Sequence, residues 1–261
     1  MEEKKENKTP APPTFWLLIG LIGSGKTTFS RKLWARDPQN TIRVCLDDII
    51  QMMSFYNYSL ELKPLYGEFE RIPIVKGLLY GYNVVVDRTN LTREIRAYFL
   101  HIPRKIRELA SGLYDVILSE ERGLFPGNRE RLVLAVNSFL EEQKAGEKDE
   151  DIVGAFLEII EKKLDEAKEI PLFGEERIPG ILEHLDRLKK LRIVGVYFDI
   201  PPDVCLERRL KDPMNRFREQ TRKVDWKNVL DKMLMMLEIP SLEEGFDEIL
   251  YVDETGNVRT P

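Results

Sequence analysis

A glycine-rich run near the start of the chain carries a lysine and two threonines at a spacing that suits phosphate binding. Residues 20–27, GLIGSGKT, fit the pattern G-x-x-x-x-G-K-[ST]. In such a loop, backbone N–H groups surround phosphate oxygens, the lysine reaches the β- and γ-phosphates, and the hydroxyl binds Mg²⁺. We therefore expect ATP and Mg²⁺ as cofactors. The predicted nucleotide-binding residues are Gly23, Ser24, Gly25, Lys26, Thr27 and Thr28, and Thr27 is also a predicted metal ligand.

Two adjacent carboxylates follow a second predicted strand, in the sequence TIRVCLDDII. A carboxylate at this place can accept a proton from a hydroxyl that lies in line with the γ-phosphate. We predict that Asp47 is this general base and that Asp48 caps the following helix; the alternative is that both residues only cap the helix. The general base favours a kinase over a GTPase or a motor ATPase. The catalytic lysine of such a kinase would be Lys26.

A third predicted strand, NVVVD, ends at Asp87. We predict that Asp87 holds a water molecule on the Mg²⁺ ion; the alternative is that it closes the strand and caps the next helix. The residues that follow, Arg88, Thr89 and Asn90, are predicted to contact the phosphate or the sugar of an acceptor.

Short apolar runs that read as strands alternate with helical patterns along most of the chain. The predicted strands are 15–19, a run ending near Asp47, a run ending at Asp87, a run ending near Ile200, and 248–254, the expected last strand. This alternation predicts an α/β fold with three layers and a doubly wound parallel sheet. The carboxyl ends of the strands then place both aspartates beside the phosphate loop.

Residues 104–191 interrupt the alternation. Residues 114–119 are a candidate strand, whereas 131–143 and 151–167 have helical patterns, and Ile152, Phe156 and Ile160 form one apolar stripe. We expect a mostly helical insertion packed on the sheet; the alternative is a role in substrate positioning or dimerisation. The predicted organisation is a disordered tail at 1–13 and one kinase domain at 14–261.

Composition limits the class of protein. The chain has 261 residues, of which 43% are hydrophobic and 33% are charged, and it contains two cysteines and two histidines. These features predict a cytoplasmic protein with no membrane span, no disulfide framework and no zinc site. The net charge of −5 is carried by residues 101–190, so that the remainder is neutral. A neutral catalytic part suits a short nucleic-acid end better than non-specific duplex binding.

The basic segment 207–223 has seven basic and three acidic residues. Arginines are suited to bidentate phosphate contacts, and such a segment can close over ATP and stabilise charge on the transferring phosphoryl group. The alternative is a solvated basic helix.

Aromatic rings in the segment after Asp47, at Phe55, Tyr56 and Tyr58, could stack a terminal base, although rings of this kind more often belong to the core.

Four sequence blocks resemble the polynucleotide 5′-hydroxyl kinases of the P-loop kinase superfamily, whose fold is nucleoside-kinase-like. The blocks are GLIGSGKTTF, RVCLDDI, NVVVDRTNLTREIRAYF and FDIPPDVCLERRLKDPMNRFREQT. The resemblance implies transfer of the γ-phosphate of ATP to the 5′-hydroxyl end of DNA or RNA. It also implies that Arg208 and Arg216 are lid arginines at the phosphates, with Arg218 a further candidate. Where the phage form has an arginine that contacts the acceptor's phosphate, this chain has Ile50.

Two alternatives to this function remain. The first is a kinase that acts on a tRNA-linked or small-molecule hydroxyl, because related superfamily members share the first three blocks. The second is an ATP-gated binding module whose helical insertion engages a protein. The sequence makes no prediction of the oligomeric state.

Overall fold

A computed structural model describes residues 11–123, 135–136, 138–139, 141–143, 149–166, 177–219 and 223–260. The strands are β1 Thr14–Ile19, β2 Thr41–Cys45, β3 Asn83–Asp87, β4 Arg192–Phe198, β5 Glu248–Val252 and β6 Val258–Arg259. The helices are α1 Lys26–Arg36, α2 Leu46–Ser54, α3 Lys63–Leu79, α4 Arg93–Gly123, α5 Glu150–Glu166, α6 Arg177–Lys189, α7 Pro202–Leu210, α8 Asn215–Arg218 and α9 Trp226–Met236, with a 3₁₀ turn at Leu242–Glu244.

These strands form one sheet in the order β2-β3-β1-β4-β5-β6. Strands β1 to β5 run parallel, and the short β6 pairs antiparallel with β5. Parallel strands are buried on both faces and therefore read as continuous apolar runs. The consecutive residues Val84, Val85 and Val86 of β3 are all fully buried, as this rule requires. The predicted parallel α/β sheet is confirmed.

Helices cover both faces of the sheet, which gives the fold three layers. On one face, buried residues of α3, α4, α5 and α6 pack against Phe15, Leu17 and Val84 of the sheet. On the other face, Leu18 and Val85 pack with residues of α1, α7 and α9. Among the described residues, no helix combines the length and the apolar character that crossing a membrane requires.

Strand β2 was predicted to end near Asp47; it ends at Cys45, and α2 begins at Leu46. The prediction of the last strand was wrong. Residues 248–254 were expected to hold the last strand, but β6 follows β5. The two residues of β6 are too short to give a detectable alternating pattern, so nothing in the sequence marked them as a strand.

The helical region between β3 and β4 also differs from expectation. Helix α4 begins at Arg93 and continues through residue 104, where the insertion was predicted to start. Residues 114–119 are helical rather than a strand, because Leu109, Leu113 and Ile117, each four apart, form one buried stripe. Of the predicted helix 131–143, the described residues 135–136, 138–139 and 141–143 are helical, and most of the turn that follows lies outside the described residues.

The expected stripe on α5 is buried, and so is part of the predicted tail. Ile152, Phe156 and Ile160 are each at most 1% exposed and belong to the core.

Residues 1–10 lie outside the described part of the chain. At the end of the predicted tail, the carbonyl of Ala11 accepts a hydrogen bond from Arg187, and the carbonyl of Pro13 accepts one from the backbone N–H of Arg192.

Candidate nucleotide and phosphoryl-transfer site

The glycine-rich loop joins β1 to α1 and has a backbone that requires glycine. Gly23 and Gly25 have φ angles of 73° and 99°, in the left-handed region that other residues rarely adopt. A Cβ atom on Gly23 would lie only 2.1 Å from the carbonyl oxygen of Cys205. The loop is therefore packed directly against α7, and its conformation depends on the absence of a side chain.

Lys26 is the first residue of α1, and its ammonium group points back into the loop. It donates hydrogen bonds to the carbonyls of Gly20 (3.0 Å) and Leu21 (2.6 Å) and to the hydroxyl of Ser24 (3.2 Å). Burial lowers the pKa of Lys26 to about 8, although the charges of Asp87 and Asp47 act to raise it. The lysine is therefore held at the loop by acceptors that phosphate oxygens can replace.

Thr27 and Thr28 lie in the first turn of α1, and both side chains are exposed. The N-terminal end of a helix favours anions, because free N–H groups and the helix dipole both point toward it. No group of three or more His, Cys, Asp or Glu side chains among the described residues is placed to hold a metal ion. A lone hydroxyl and one nearby carboxylate fit Mg²⁺, which takes most of its ligands from water and phosphates.

A cleft of about 420 Å³ opens beside the loop, and its size is that of a small-molecule site. Ser24, Gly25 and Thr28 line it on the loop side, and residues 252–256 and Arg208 line the opposite side. Arg208 is exposed and donates a hydrogen bond of 2.7 Å to the carbonyl of Glu254. The predicted nucleotide-binding residues Ser24, Gly25, Thr28 and Arg208 therefore meet at one cleft.

Asp47 lies in the first turn of α2 and faces the basic segment. We call residues 207–219 the lid. The Asp47 carboxylate lies 3.3 Å from the guanidinium of Arg218, which also forms a 2.7 Å ion pair with Asp212. The electrostatic effect of Asp47 reaches both Lys26 and Arg209. The predicted base is thus brought together with the phosphate loop and with the lid.

Asp48 does not cap α2. The residue at the N-cap is Cys45, no side chain caps this helix end, and Asp48 forms an ion pair with Arg43 instead. The prediction failed because β2 ends two residues earlier than expected, so that both aspartates are inside the first turn of the helix.

Arg209 was not predicted, yet its charge reaches the phosphate loop. Its guanidinium stacks 3.9 Å above the ring of Trp226, and burial, with the neighbouring charge of Arg218, lowers its pKa to about 10. Its charge in turn acts to lower the pKa of Lys26. Arg216 is exposed and lies over the ring of Phe217, 4.6 Å from its centroid. Helical spacing could have indicated Arg209, because it lies four residues after the buried Cys205.

Asp87 is buried at the carboxyl end of β3 and takes part in a polar network. It accepts hydrogen bonds from Arg43 (2.6 Å) and from the hydroxyl of Ser30 (2.8 Å). Arg43 also donates to the Ser30 hydroxyl, at 2.8 Å. The predicted metal-associated carboxylate therefore links β2, β3 and α1 beneath the phosphate loop. Arg43 is a second residue that sequence reasoning did not identify.

The three residues after Asp87 have different positions. Arg88 is partly exposed and forms a 2.8 Å ion pair with the buried Glu70 of α3. The carbonyl of Thr89 accepts a hydrogen bond from the backbone N–H of Gly20. Asn90 is 1% exposed, and its amide donates to the carbonyl of Leu18. Of the three residues predicted to contact the acceptor, Asn90 is the buried one, and its side chain joins the ends of β3 and β1.

A family model described as an AAA domain, AAA_33, matches residues 15–110. The match covers the phosphate loop, Asp47, the end of β3 and the first part of α4. No curated protein gives a significant sequence match to the chain.

Solved structures with some likeness include two described as complexes of Pnkp1, Rnl and Hen1. The first is 28% identical, with a TM-score of 0.32, and covers 37% of this chain and 33% of the other. The second, described as an RNA repair complex, is 14% identical, with a TM-score of 0.30, over 88% and 86% of the two chains. The chain thus spans about a third of the first of these relatives.

A third structure is described as the PezAT chromosomal toxin-antitoxin system of Streptococcus pneumoniae. It is 14% identical, with a TM-score of 0.46, over 98% of this chain and 74% of the other. At these TM-scores the three likenesses do not bear on function. The loop geometry and the strand order give an α/β fold of the P-loop nucleoside triphosphatase type, and the family match covers its first part, residues 15–110.

Proposed function

We propose that the chain is an ATP-dependent phosphotransferase that moves the γ-phosphate to the 5′-hydroxyl end of DNA or RNA. One observation carries this proposal: the carboxylate of Asp47 pairs with Arg218 of the lid and lies within the electrostatic field of Lys26 of the phosphate loop. A loop that only binds nucleotide has no need of such a carboxylate. A kinase needs one to accept the proton of the attacking hydroxyl.

The position of each site residue suggests its role in phosphoryl transfer. ATP with Mg²⁺ supplies the phosphoryl group and neutralises part of its charge. Lys26 and the loop N–H groups would hold the phosphates, the hydroxyl of Thr27 would bind the metal ion, and Asp87 would hold one of the water molecules on that ion. Arg209 and Arg218 stabilise the charge that develops on the transferring group, because fixed cations act strongly where water is excluded. Asp47 takes the proton of the acceptor hydroxyl.

The choice of acceptor rests on the sequence resemblance and on the surroundings of Asp47. Ile50, which replaces an arginine of the phage form, is buried in α2 and offers no charge to a phosphate. Arg88 supplies an alternative cation at the same edge of the sheet, partly exposed and anchored by Glu70. A charged acceptor that carries a phosphate next to its sugar therefore has a partner on this side of the site.

The test is transfer of label from γ-labelled ATP to DNA and RNA oligonucleotides with 5′-hydroxyl ends. We expect labelled 5′ ends from the unaltered chain and, for Asp47→Asn, a loss of roughly a hundredfold or more with ATP binding preserved. Asp231→Asn is the matched control, because Asp231 is an exposed carboxylate on α9. Absence of transfer to every oligonucleotide contradicts the proposed acceptor.

The same experiment separates the alternatives. Label found on a tRNA-linked or small-molecule hydroxyl, with oligonucleotides inert, establishes a kinase with a different acceptor. ATP binding without transfer to any acceptor, together with a biological activity that Asp47→Asn leaves intact, establishes an ATP-gated binding module.

A further inference from the structure

The chain leaves α2 through two residues with an unusual backbone. Phe55 and Tyr56 have φ angles of 49° and 64°, in the left-handed region where a glycine is the usual residue at a helix end. Their N–H groups satisfy the last carbonyls of the helix, with bonds to Gln51 (3.0 Å) and Ile50 (3.4 Å). Bulky residues persist in such a conformation when their contacts hold them there, and strained positions of this kind concentrate at binding sites.

The rings of these two residues contact the lid, and the hydroxyl of Tyr56 also donates a hydrogen bond of 3.0 Å to the side chain of Gln51. The ring of Phe55 meets the ring of Phe217 edge to face, with centroids 5.9 Å apart and an interplanar angle of 76°. The guanidinium of Arg218 lies 5.3 Å from the centroid of the Tyr56 ring and pairs with Asp47. The expectation that these rings are core residues fails for Phe55, which is 57% exposed. An open ring therefore contacts Phe217, the lid residue next to the partner of the proposed general base, Arg218.

A planar group is the occupant that this arrangement favours. An edge-to-face pair leaves a face of the ring uncovered, and ring faces bind nucleobases by stacking regardless of base identity. A nucleotide whose sugar hydroxyl lies at Asp47 extends its base away from the carboxylate, and the adjacent lid residues Phe217 and Arg218 connect Phe55 to Asp47. The nucleotide cleft, lined by Ser24 and residues 252–256, is formed by other elements and does not include Phe55.

We propose that Phe55, with Phe217 of the lid, stacks the 5′-terminal nucleobase of a single-stranded acceptor end. This inference rests on the proposed function and adds to it a contact with the terminal nucleobase. In a single strand a terminal base has at most one stacked neighbour, so that one of its faces is available to the ring. Stacking of one base on an aromatic side chain changes affinity by about ten- to a hundredfold.

The first test compares acceptors that have or lack the terminal base. Oligonucleotides with a normal 5′-hydroxyl nucleotide are matched with oligonucleotides whose 5′ residue is an abasic tetrahydrofuran. We expect kcat/KM for the unaltered chain to be about tenfold or more lower on the abasic acceptor. Phe55→Ala should lose a similar factor on the normal acceptor and nothing further on the abasic one. Phe55→Trp should restore the preference for a base.

The control variant is Tyr80→Ala. Tyr80 is a comparably exposed aromatic residue (46%), but it lies between α3 and the start of β3, at the opposite edge of the sheet from Asp47. It should behave as the unaltered chain on both acceptors. ATP binding and the thermal melting midpoint are measured for each variant, and the restoring Phe55→Trp variant separates a lost stacking partner from a misfolded chain.

The second test measures stacking without phosphoryl transfer. An oligonucleotide with 2-aminopurine at its 5′ end is titrated with the Asp47→Asn variant, with and without Phe55→Ala. We expect saturable quenching that the Phe55→Ala change removes. Equal loss on both acceptors for Phe55→Ala, or quenching that does not depend on Phe55, overturns the inference.

The two proposals fail in distinguishable ways. If oligonucleotides are phosphorylated with the same kcat/KM whether or not they carry the terminal base, the stacking proposal is wrong and the kinase proposal still holds. If quenching depends on Phe55 but the unaltered chain transfers no phosphate, the stacking site is supported and the proposed reaction is wrong.

Discussion

Arg43 and Asp87 form a buried ion pair of 2.6 Å that joins β2 to β3 directly beneath the phosphate loop. Both side chains are less than a tenth exposed, so neither charge can be satisfied by water if the other is removed. We expect Arg43→Met to lower the free energy of unfolding by about 3–5 kcal/mol, because it leaves a buried carboxylate without its partner. Urea denaturation measures the change. Arg31→Met, at an exposed position on α1, should change stability by less than about 0.5 kcal/mol, and equal effects of the two variants contradict the prediction.

The loop conformation is tested by a pair of glycine substitutions. Gly23→Ala introduces a Cβ atom 2.1 Å from the carbonyl of Cys205 in a left-handed backbone, so the loop must separate from α7. We expect ATP binding by calorimetry to be lost or to weaken strongly. Gly67→Ala is the control: Gly67 lies inside α3 with nothing within 4 Å of the added atom, and alanine should stabilise the helix by about 0.5–1 kcal/mol. Normal ATP binding by the Gly23 variant would show that the loop is not held as described.

The lowered pKa of Lys26 predicts proton uptake on ATP binding. With a pKa of about 8, the lysine is half protonated at pH 8, and phosphate charges that favour the ammonium form raise this pKa in the complex. We expect an uptake of about half a proton at pH 8, little at pH 6.5, where the lysine is already charged, and weaker binding at pH 9. Calorimetry in buffers of different ionisation enthalpy measures it. Lys26→Arg should bind without uptake, since arginine stays charged; the same uptake in that variant would assign the proton to another group.

Glu70 is predicted to position Arg88 rather than to react. Burial raises the pKa of Glu70, although Arg88 acts to lower it, and its second carboxyl oxygen is buried without a hydrogen-bond partner among the described residues. We expect Glu70→Gln to raise KM for a phosphate-bearing acceptor by about ten- to a hundredfold, with KM for ATP unchanged, because the guanidinium is no longer fixed. Steady-state kinetics with each substrate varied in turn gives both values. Glu68→Gln, an exposed position on the same helix, should have no effect; a matched rise in KM for ATP would place Glu70 on the nucleotide side.

The lid arginines should differ in importance. Arg218 pairs with Asp47 and Asp212. Arg216 is exposed, and its guanidinium lies over the ring of Phe217. We expect Arg218→Met to lower kcat by about a hundredfold, the usual loss when one stabilising donor is removed, and Arg216→Met to have a much smaller effect. Both variants carry the same chemical change on the same short helix. A larger loss for Arg216 would support the assignment that the sequence resemblance implied.

The phosphate loop, the parallel sheet and the position of Asp47 were predictable because each depends on local chemistry. Glycine spacing specifies the loop, and runs of β-branched residues such as Val84–Val86 mark strands that are buried on both faces. The polar network around Arg43 was not predictable, since it joins residues 44 and 57 positions apart through the folded sheet. The lid was predicted as a segment, but the inward position of Arg209 follows from the phase of α7, in which Cys205 and Arg209 share a face. The strand predicted at 114–119 failed because a local preference for strand was overridden by packing at helical spacing.

No residue separates β2 from α2: the strand ends at Cys45 and the helix begins at Leu46. A junction of this kind has no hinge, so Asp47 inherits the rigidity of the central sheet. Relative motion during a catalytic cycle must then come from the lid and from the stretch between Ser54 and Lys63. The proposed proton acceptor therefore keeps its position relative to the sheet, and the substrates move to it.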